Sequence, residues 1–346
     1  MTKVLIMVIA IFFLPISAAA DELTAPEVPR SGVAMMPQNT DSFADALREL
    51  VQNGINRIQP ELKIAANTNM KIILSSVLFS LLAILSDKIT VPVSIAGTVM
   101  IAAAMLQNTN TMVNYAAETV RDICEYGKLL CPVLTTALAA QGGITSSAAL
   151  YTGTAAFIAL LGMLVSRWMI PMIYLYLVFS MAGCALGEKF FRKFADAINS
   201  ILHWLLKTVL IVFTTYMSIT GVISGLTDVA ALKTAKLTMS TVVPIVGGIL
   251  SDASEAVLVS LGLIKNTAGI YGILATLAVF MGPFIKVGVQ YLFLKFTALI
   301  CSLFPGKNLS ELAGNFSTAM GLLLAMIASS CTLVFISTVC FLKGIG

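Results

Sequence analysis

Charge is scarce in this chain. Only 11% of its 346 residues are Asp, Glu, Lys or Arg, against roughly a quarter in an ordinary soluble domain, too few to build a water-exposed surface around a core. The formal net charge is +4, with the basic residues scattered singly or in pairs, so the electrostatic footprint of a nucleic-acid binder is missing. Histidine occurs once, at His203, which excludes a His-based metal site. The six cysteines, at 124, 131, 184, 301, 331 and 340, form no CxxC and no Cys/His spacing suited to zinc. They read as small apolar residues within apolar runs, and Cys124 and Cys131 stand too far apart for a bridge within one straight helix. Signatures of catalysis are also lacking: there is no GxSxG, HExxH, GxxxxGKS or GxGxxG after a strand. The sequence points to no enzyme and no cofactor, and it encodes no soluble nucleotide-binding domain, so energy for transport must come from a partner or a gradient.

What is present is apolar surface: 58% of residues are hydrophobic and the mean hydropathy is +0.95. The implied solvent is the lipid bilayer. Lys3, the apolar run Val4 to Leu14, Pro15 and Ala18-Ala19-Ala20 have the parts of a cleavable signal peptide, 1–20. Residues 21–40, with Pro26, Pro29, Pro37, Asp21, Glu22 and Glu27, have the composition of a disordered extracytoplasmic tether. Over 41–66, Phe43, Leu47, Leu50, Val51, Ile55 and Ile58 recur at three and four, predicting an amphipathic helix that Pro60 kinks or ends. The transmembrane domain, 67–346, holds apolar segments at about 71–86, 89–106, 145–165, 168–187, 207–226, 268–285, 287–304 and 316–342. None shows the period-two alternation of a barrel strand. The expected fold is therefore all-α, a polytopic transmembrane bundle of about eight spans, since helices satisfy their own amides in hydrocarbon.

Two stretches fit neither a span nor a simple loop. Leu129 to Ser147 is broken by Gln141-Gly142-Gly143, and Thr241 to Asn266 by Pro244 and Gly247-Gly248, with Asp252, Glu255 and Lys265 beyond. Both read as broken or re-entrant helices, the irregular backbone that membranes tolerate at pathways and assembly interfaces; a surface loop is the plainer reading. Asp252 and Glu255 share a helix face, which fits either a polar cavity or a first-turn capping pair. From Glu188 to Lys207, Phe190, Phe191, Phe194, Ile198, Ile201, Leu202 and Leu205 face opposite Lys189, Arg192, Lys193, Asp196, Asn199 and His203. That basic amphipathic helix suits the cytoplasmic leaflet. Gly183/Gly187 and Gly221/Gly225 are small-xxx-small pairs, read as helix packing within the chain before homo-oligomerisation. Asp87, Lys88, Arg167, Lys286 and Lys295 join Asp252, Glu255 and Lys265 as ionisable residues in or beside apolar segments, where most fit an interface that Lys and Arg reach by snorkelling.

At PIVGGILSDASEAVLVSLGLIKNTAGIYGI, residues 244–273, and through PFIKVGVQYLFLKFTALI, 283–300, the chain resembles the stage III sporulation protein AE family of endospore-forming bacteria. Pro244, Gly247, Gly248, Asp252, Glu255, Lys265 and Asn266 carry the motif. The resemblance implies a protein made in the mother cell and placed in the membrane around the forespore. Its partners there would be the other subunits of the channel, or feeding-tube, complex joining the two compartments. It carries over no catalytic residue. A stand-alone secondary transporter, with a site formed by 129–147 and 241–266, is the alternative, and a purely structural scaffold is a third reading.

Overall fold

The computed structural model describes residues 26–37, 43–85, 91–141, 143–242, 247–304 and 307–343, of which 83–85, 91, 92, 94, 221–242, 247–266 and 307 are described as helix only. The signal segment 1–20 lies outside the described residues, as do Asp87, Lys88 and Pro244. After a single turn, α1 (Arg30–Val33), come the long helices α2 (Phe43–Leu85) and α3 (Val91–Ala140). Next, α4 (Ile144–Leu164) and α5 (Ile170–Leu186) are joined without a break through a π-helical turn, Val165–Met169. The chain closes with α6 (Lys189–Val242), α7 (Gly247–Ser302) and α8 (Lys307–Lys343). No strand occurs among the described residues.

Among the described residues, six helices are long and apolar enough to cross a membrane: Phe43–Leu82, Ile95–Ala140, Ile144–Leu186, Lys189–Thr220, Thr267–Ser302 and Asn308–Lys343. Hydropathy separates eight segments because it treats charge as punctuation. Arg167 divides 145–165 from 168–187, and Lys286 divides 268–285 from 287–304, yet both pairs run on as single helices. At the first junction Pro171 has no amide to donate, and its ring conflicts with the carbonyl one turn back; the wider π turn absorbs the misfit. Pro60, Pro132 and Pro283 likewise sit inside continuous helices. Pro60 therefore does not end the amphipathic segment, and 41–66 continues directly into the apolar segment that follows.

The stretch 129–147 is a helical corner. α3 stays helical to Ala140, the amides of Gln141 and Gly143 both donate to the Leu138 carbonyl at 3.2 and 3.1 Å, and α4 starts with Ser147 donating to the Gly143 carbonyl at 2.8 Å. The limbs then run antiparallel: a Cβ at Gly127 would sit 2.9 Å from Ile158, and one at Gly162 would lie 4.0 Å from Cys124 Sγ. A second corner, at Gly187, turns α5 into α6, and α7 and α8 pack against each other along the chain's last two long helices. α8 occupies the centre, burying Leu312, Phe316, Met320, Leu323, Met326 and Ile327 completely against α7, α3, α5 and α6. α2 packs outside, on α7 and α3.

The segment preceding α2 is seated on the bundle. Gly32 and Met35 are buried; a Cβ at Gly32 would meet Val279 at 2.6 Å, Met35 packs with Leu50 and Ala278, and Ser31 Oγ donates to Asp122 at 2.5 Å. Composition alone assigns 21–40 to a disordered tether. Ser31, Gly32 and Met35 are the residues of 26–37 that make these contacts.

Candidate functional site

The sequence motif falls at the start of α7. Gly247, Gly248, Asp252, Glu255, Lys265 and Asn266 are all helical positions, but their side chains lie outside the described residues, so the motif stands as a proposal. Gly221 and Gly225 are helical positions of α6 in the same standing. Gly183 and Gly187, by contrast, have a clear geometry, and the pair divides its labour. Gly183 is buried where α5 meets α6: a Cβ there would lie 2.9 Å from Arg192 Cγ and 3.3 Å from the Arg192 amide. Gly187 is exposed and ends α5 in the left-handed region at φ 72°, its amide donating to the Gly183 carbonyl at 3.1 Å. The second glycine is a helix terminator, and only the first lets backbones approach.

Around that corner the polar side chains of three helices converge. Arg192 Nη1 lies 2.9 Å from Glu311 Oε2, and Arg192 Nε donates to the Gly183 carbonyl at 3.4 Å. Asn315 donates to Cys184 Sγ at 3.8 Å, and the Tyr176 hydroxyl donates to the Asn315 carbonyl at 3.3 Å. Both ions are about one-third exposed, so the pair orients α6 on α8 more than it stabilises it.

A second group lies midway along the bundle. Lys286 Nζ sits 4.4 Å from the centroid of the Tyr115 ring, where the ring face attracts the ammonium. Arg57 and Glu61 pair across one turn of α2 at 3.9 Å, and Arg121 and Glu125 pair on α3 at 2.8 Å. A third, deeper group is a reciprocal amide pair between α2 and α7. Asn69 Nδ2 donates to Gln290 Oε1 at 2.8 Å, and Gln290 Nε2 returns a bond to Asn69 Oδ1 at 3.0 Å. Both side chains are buried, and Asn69 also reaches the Ala65 carbonyl at 2.8 Å. Sequence reading missed the amide pair and the Arg192–Glu311 bridge, although a lone Asn or Gln at the edge of an apolar run is the signal to look for. Arg167 and Lys295 are exposed on the bundle surface.

The Arg192–Glu311 bridge, the Lys286–Tyr115 contact and the Asn69–Gln290 pair join helix to helix. The described cysteines carry no bridge and five of them are buried, and no group of three or more His, Cys, Asp or Glu residues among the described residues is placed to hold a metal ion. Long apolar helices, small residues at corners and polar pairs between helices define a multi-pass helical membrane protein. Comparison with known families is more specific: the model of stage III sporulation protein AE matches residues 33–344, and the chain belongs to that family. It is 28% identical over 194 residues to the stage III sporulation protein AE of Bacillus subtilis (strain 168), a match covering 56% of this chain and 48% of that relative. The chain thus aligns with about half the length of this curated relative. No solved structure matches it.

Proposed function

We propose that this chain is a non-enzymatic component of the multi-protein channel between mother cell and forespore, resident in the mother-cell membrane around the engulfed forespore. The carrying observation is the family match across residues 33–344, which makes a sporulation role the starting point. Two features support the finer reading. The Asn69–Gln290 pair and the Arg192–Glu311 bridge each join two helices of the bundle, as expected of a subunit whose work is assembly. The motif positions from Gly247 to Asn266 are helical at the start of α7, and with Pro244 they are read as a pathway or assembly element. A signal sequence over 1–20 would export the segment before α2. Deletion of the gene tests the reading: engulfment is expected to proceed and late forespore development to fail, with rescue by the intact gene. Normal spores from the deletion strain would defeat it.

A further inference from the structure

The part of α6 nearest the Gly187 corner carries two different exposed stripes side by side. At ~3.6 residues per turn, Phe190, Phe194, Ile201 and Trp204 share one stripe, and they are exposed by 59%, 46%, 48% and 63%. Lys189, Lys193 and Lys207 share the adjoining stripe and are exposed as well, with Lys207 about five turns beyond Lys189. The remaining side, at Ala195, Ile198, Leu202 and Leu206, is the one buried in the bundle.

Packing against α5 fixes the apolar stripe in place. Phe194 stacks on Phe179 at 5.3 Å, and Phe190 packs against Phe194 at 4.9 Å and Phe191 at 5.5 Å. These contacts order the rings yet leave Phe190 and Phe194 open outward. At the same level α5 exposes Leu175, Val178 and Leu186. Large apolar side chains gathered on one surface mark a place that another molecule covers.

The neighbouring cations are unspent. Arg192 is held by Glu311 at 2.9 Å, but Lys189, Lys193 and Lys207 enter no ion pair among the described residues. The Phe179–Phe194 and Phe157–Phe213 contacts also set the exposed Arg167 level with Lys207. Two exposed carboxylates oppose these four cations: Glu188 ahead of the helix, and Asp196 on the side of the lysine stripe away from the rings. The edge that borders the aromatic stripe is therefore basic.

We infer that this face binds an anionic phospholipid, its phosphate between Lys189 and Lys193 and an acyl chain along Phe190, Phe194 and Ile201 toward Trp204. Lysines one helical turn apart can both reach a single phosphate. From Phe190 to Trp204 the stripe runs ~21 Å at ~1.5 Å per residue, longer than the ~15 Å of hydrocarbon in one leaflet, so it accommodates a whole acyl chain. Lipid is always at hand for a multi-pass helix. A helix face merely solvated by acyl chains has no use for a lysine stripe, and one facing only water has no use for open rings. Both together match an anionic headgroup with its chain. A zwitterionic lipid carries its own cation beside the phosphate and gains less from the lysines. The site is independent of whether the chain joins a channel.

Native mass spectrometry of the full chain, purified in mild detergent and titrated with phosphatidylglycerol or phosphatidylcholine of the same acyl chains, tests the site. Phosphatidylglycerol is expected to bind more tightly, and Lys189→Gln with Lys193→Gln to weaken it about fivefold per lysine without changing phosphatidylcholine. Lys295→Gln, at an exposed position of α7, is expected to change neither. These surface substitutions leave the packed rings untouched. Equal affinity for the two lipids, or an unaltered phosphatidylglycerol affinity in the double lysine variant, overturns the inference. Glycerol phosphate, the soluble headgroup alone, is expected not to displace the lipid at matching concentrations; displacement would assign the lysines to free phosphate instead. Loss of a copurifying protein from the double variant, with lipid affinity intact, would make the face a protein contact and overturn the lipid assignment.

Discussion

Removing one amide of the Asn69–Gln290 pair is expected to cost more than removing both. The pair bridges α2 and α7 through two reciprocal bonds of 2.8 and 3.0 Å, both side chains buried. Interhelical hydrogen bonds in membranes contribute on average ~0.6 and at most ~1.7 kcal/mol each, so the two together amount to roughly 1–3 kcal/mol. Asn69→Leu leaves the Gln290 amide and carbonyl stranded, and an unsatisfied buried polar group adds a penalty of about 1–3 kcal/mol. Gln290→Leu strands Asn69 less severely, because Nδ2 keeps its 2.8 Å bond to the Ala65 carbonyl. The double Leu substitution removes both the bonds and the stranded groups, leaving mainly the change in packing. Unfolding of the purified protein in mixed micelles with increasing SDS reads the cycle. The expected order is Asn69→Leu worst, Gln290→Leu next and the double variant milder than either, which requires a coupling larger than the cost of Asn69→Leu itself, roughly 2 kcal/mol or more. Strictly additive effects, or a double variant worse than both singles, would refute the pairing.

At the α5–α6 corner, Gly183→Leu is expected to disrupt packing by about 1–3 kcal/mol, because its side chain meets the Arg192 backbone as well as its flexible stem. Gly187→Ala has open space around it and is expected to cost only the ~1–2 kcal/mol of a left-handed alanine; the same SDS titration orders the two, and a milder Gly183→Leu would contradict the corner geometry. Met35→Ala is expected to release the segment before α2 by emptying its seat on Leu50 and Ala278. Limited proteolysis should then cut upstream of Phe43 faster while the bundle keeps its own digestion pattern, and unchanged cutting would argue against the seat. Asp252→Ala with Glu255→Ala is expected to lower spore yield without lowering the amount of protein in the membrane, as read by heat-resistant counts and immunoblotting; wild-type yield would remove the motif from the account.

Helical class and membrane residence were legible because they follow from composition and from runs of apolar residues, which do not depend on neighbours. Span number was less legible. Arg167 and Lys286 interrupt hydropathy, but the first is carried on the surface and the second lies against a tyrosine ring, so neither breaks its helix. The glycine pair at 183 and 187 shows the limit of motif reading, since identical spacing gave one close-approach residue and one terminator. Partners far apart in sequence, such as Asn69 with Gln290 and Arg192 with Glu311, become visible only when the hairpins bring them together.

The central claim, that this chain works as a membrane subunit of the mother cell-to-forespore channel, is tested most directly by purifying it under native conditions from sporulating cells once engulfment is complete and measuring the mass of the intact particle. The account predicts a large assembly containing other sporulation membrane proteins, and no solute movement by the chain alone in liposomes. Recovery of the chain by itself, transporting solute without partners and losing that activity with Asp252→Ala or Glu255→Ala, would contradict it in favour of a stand-alone carrier.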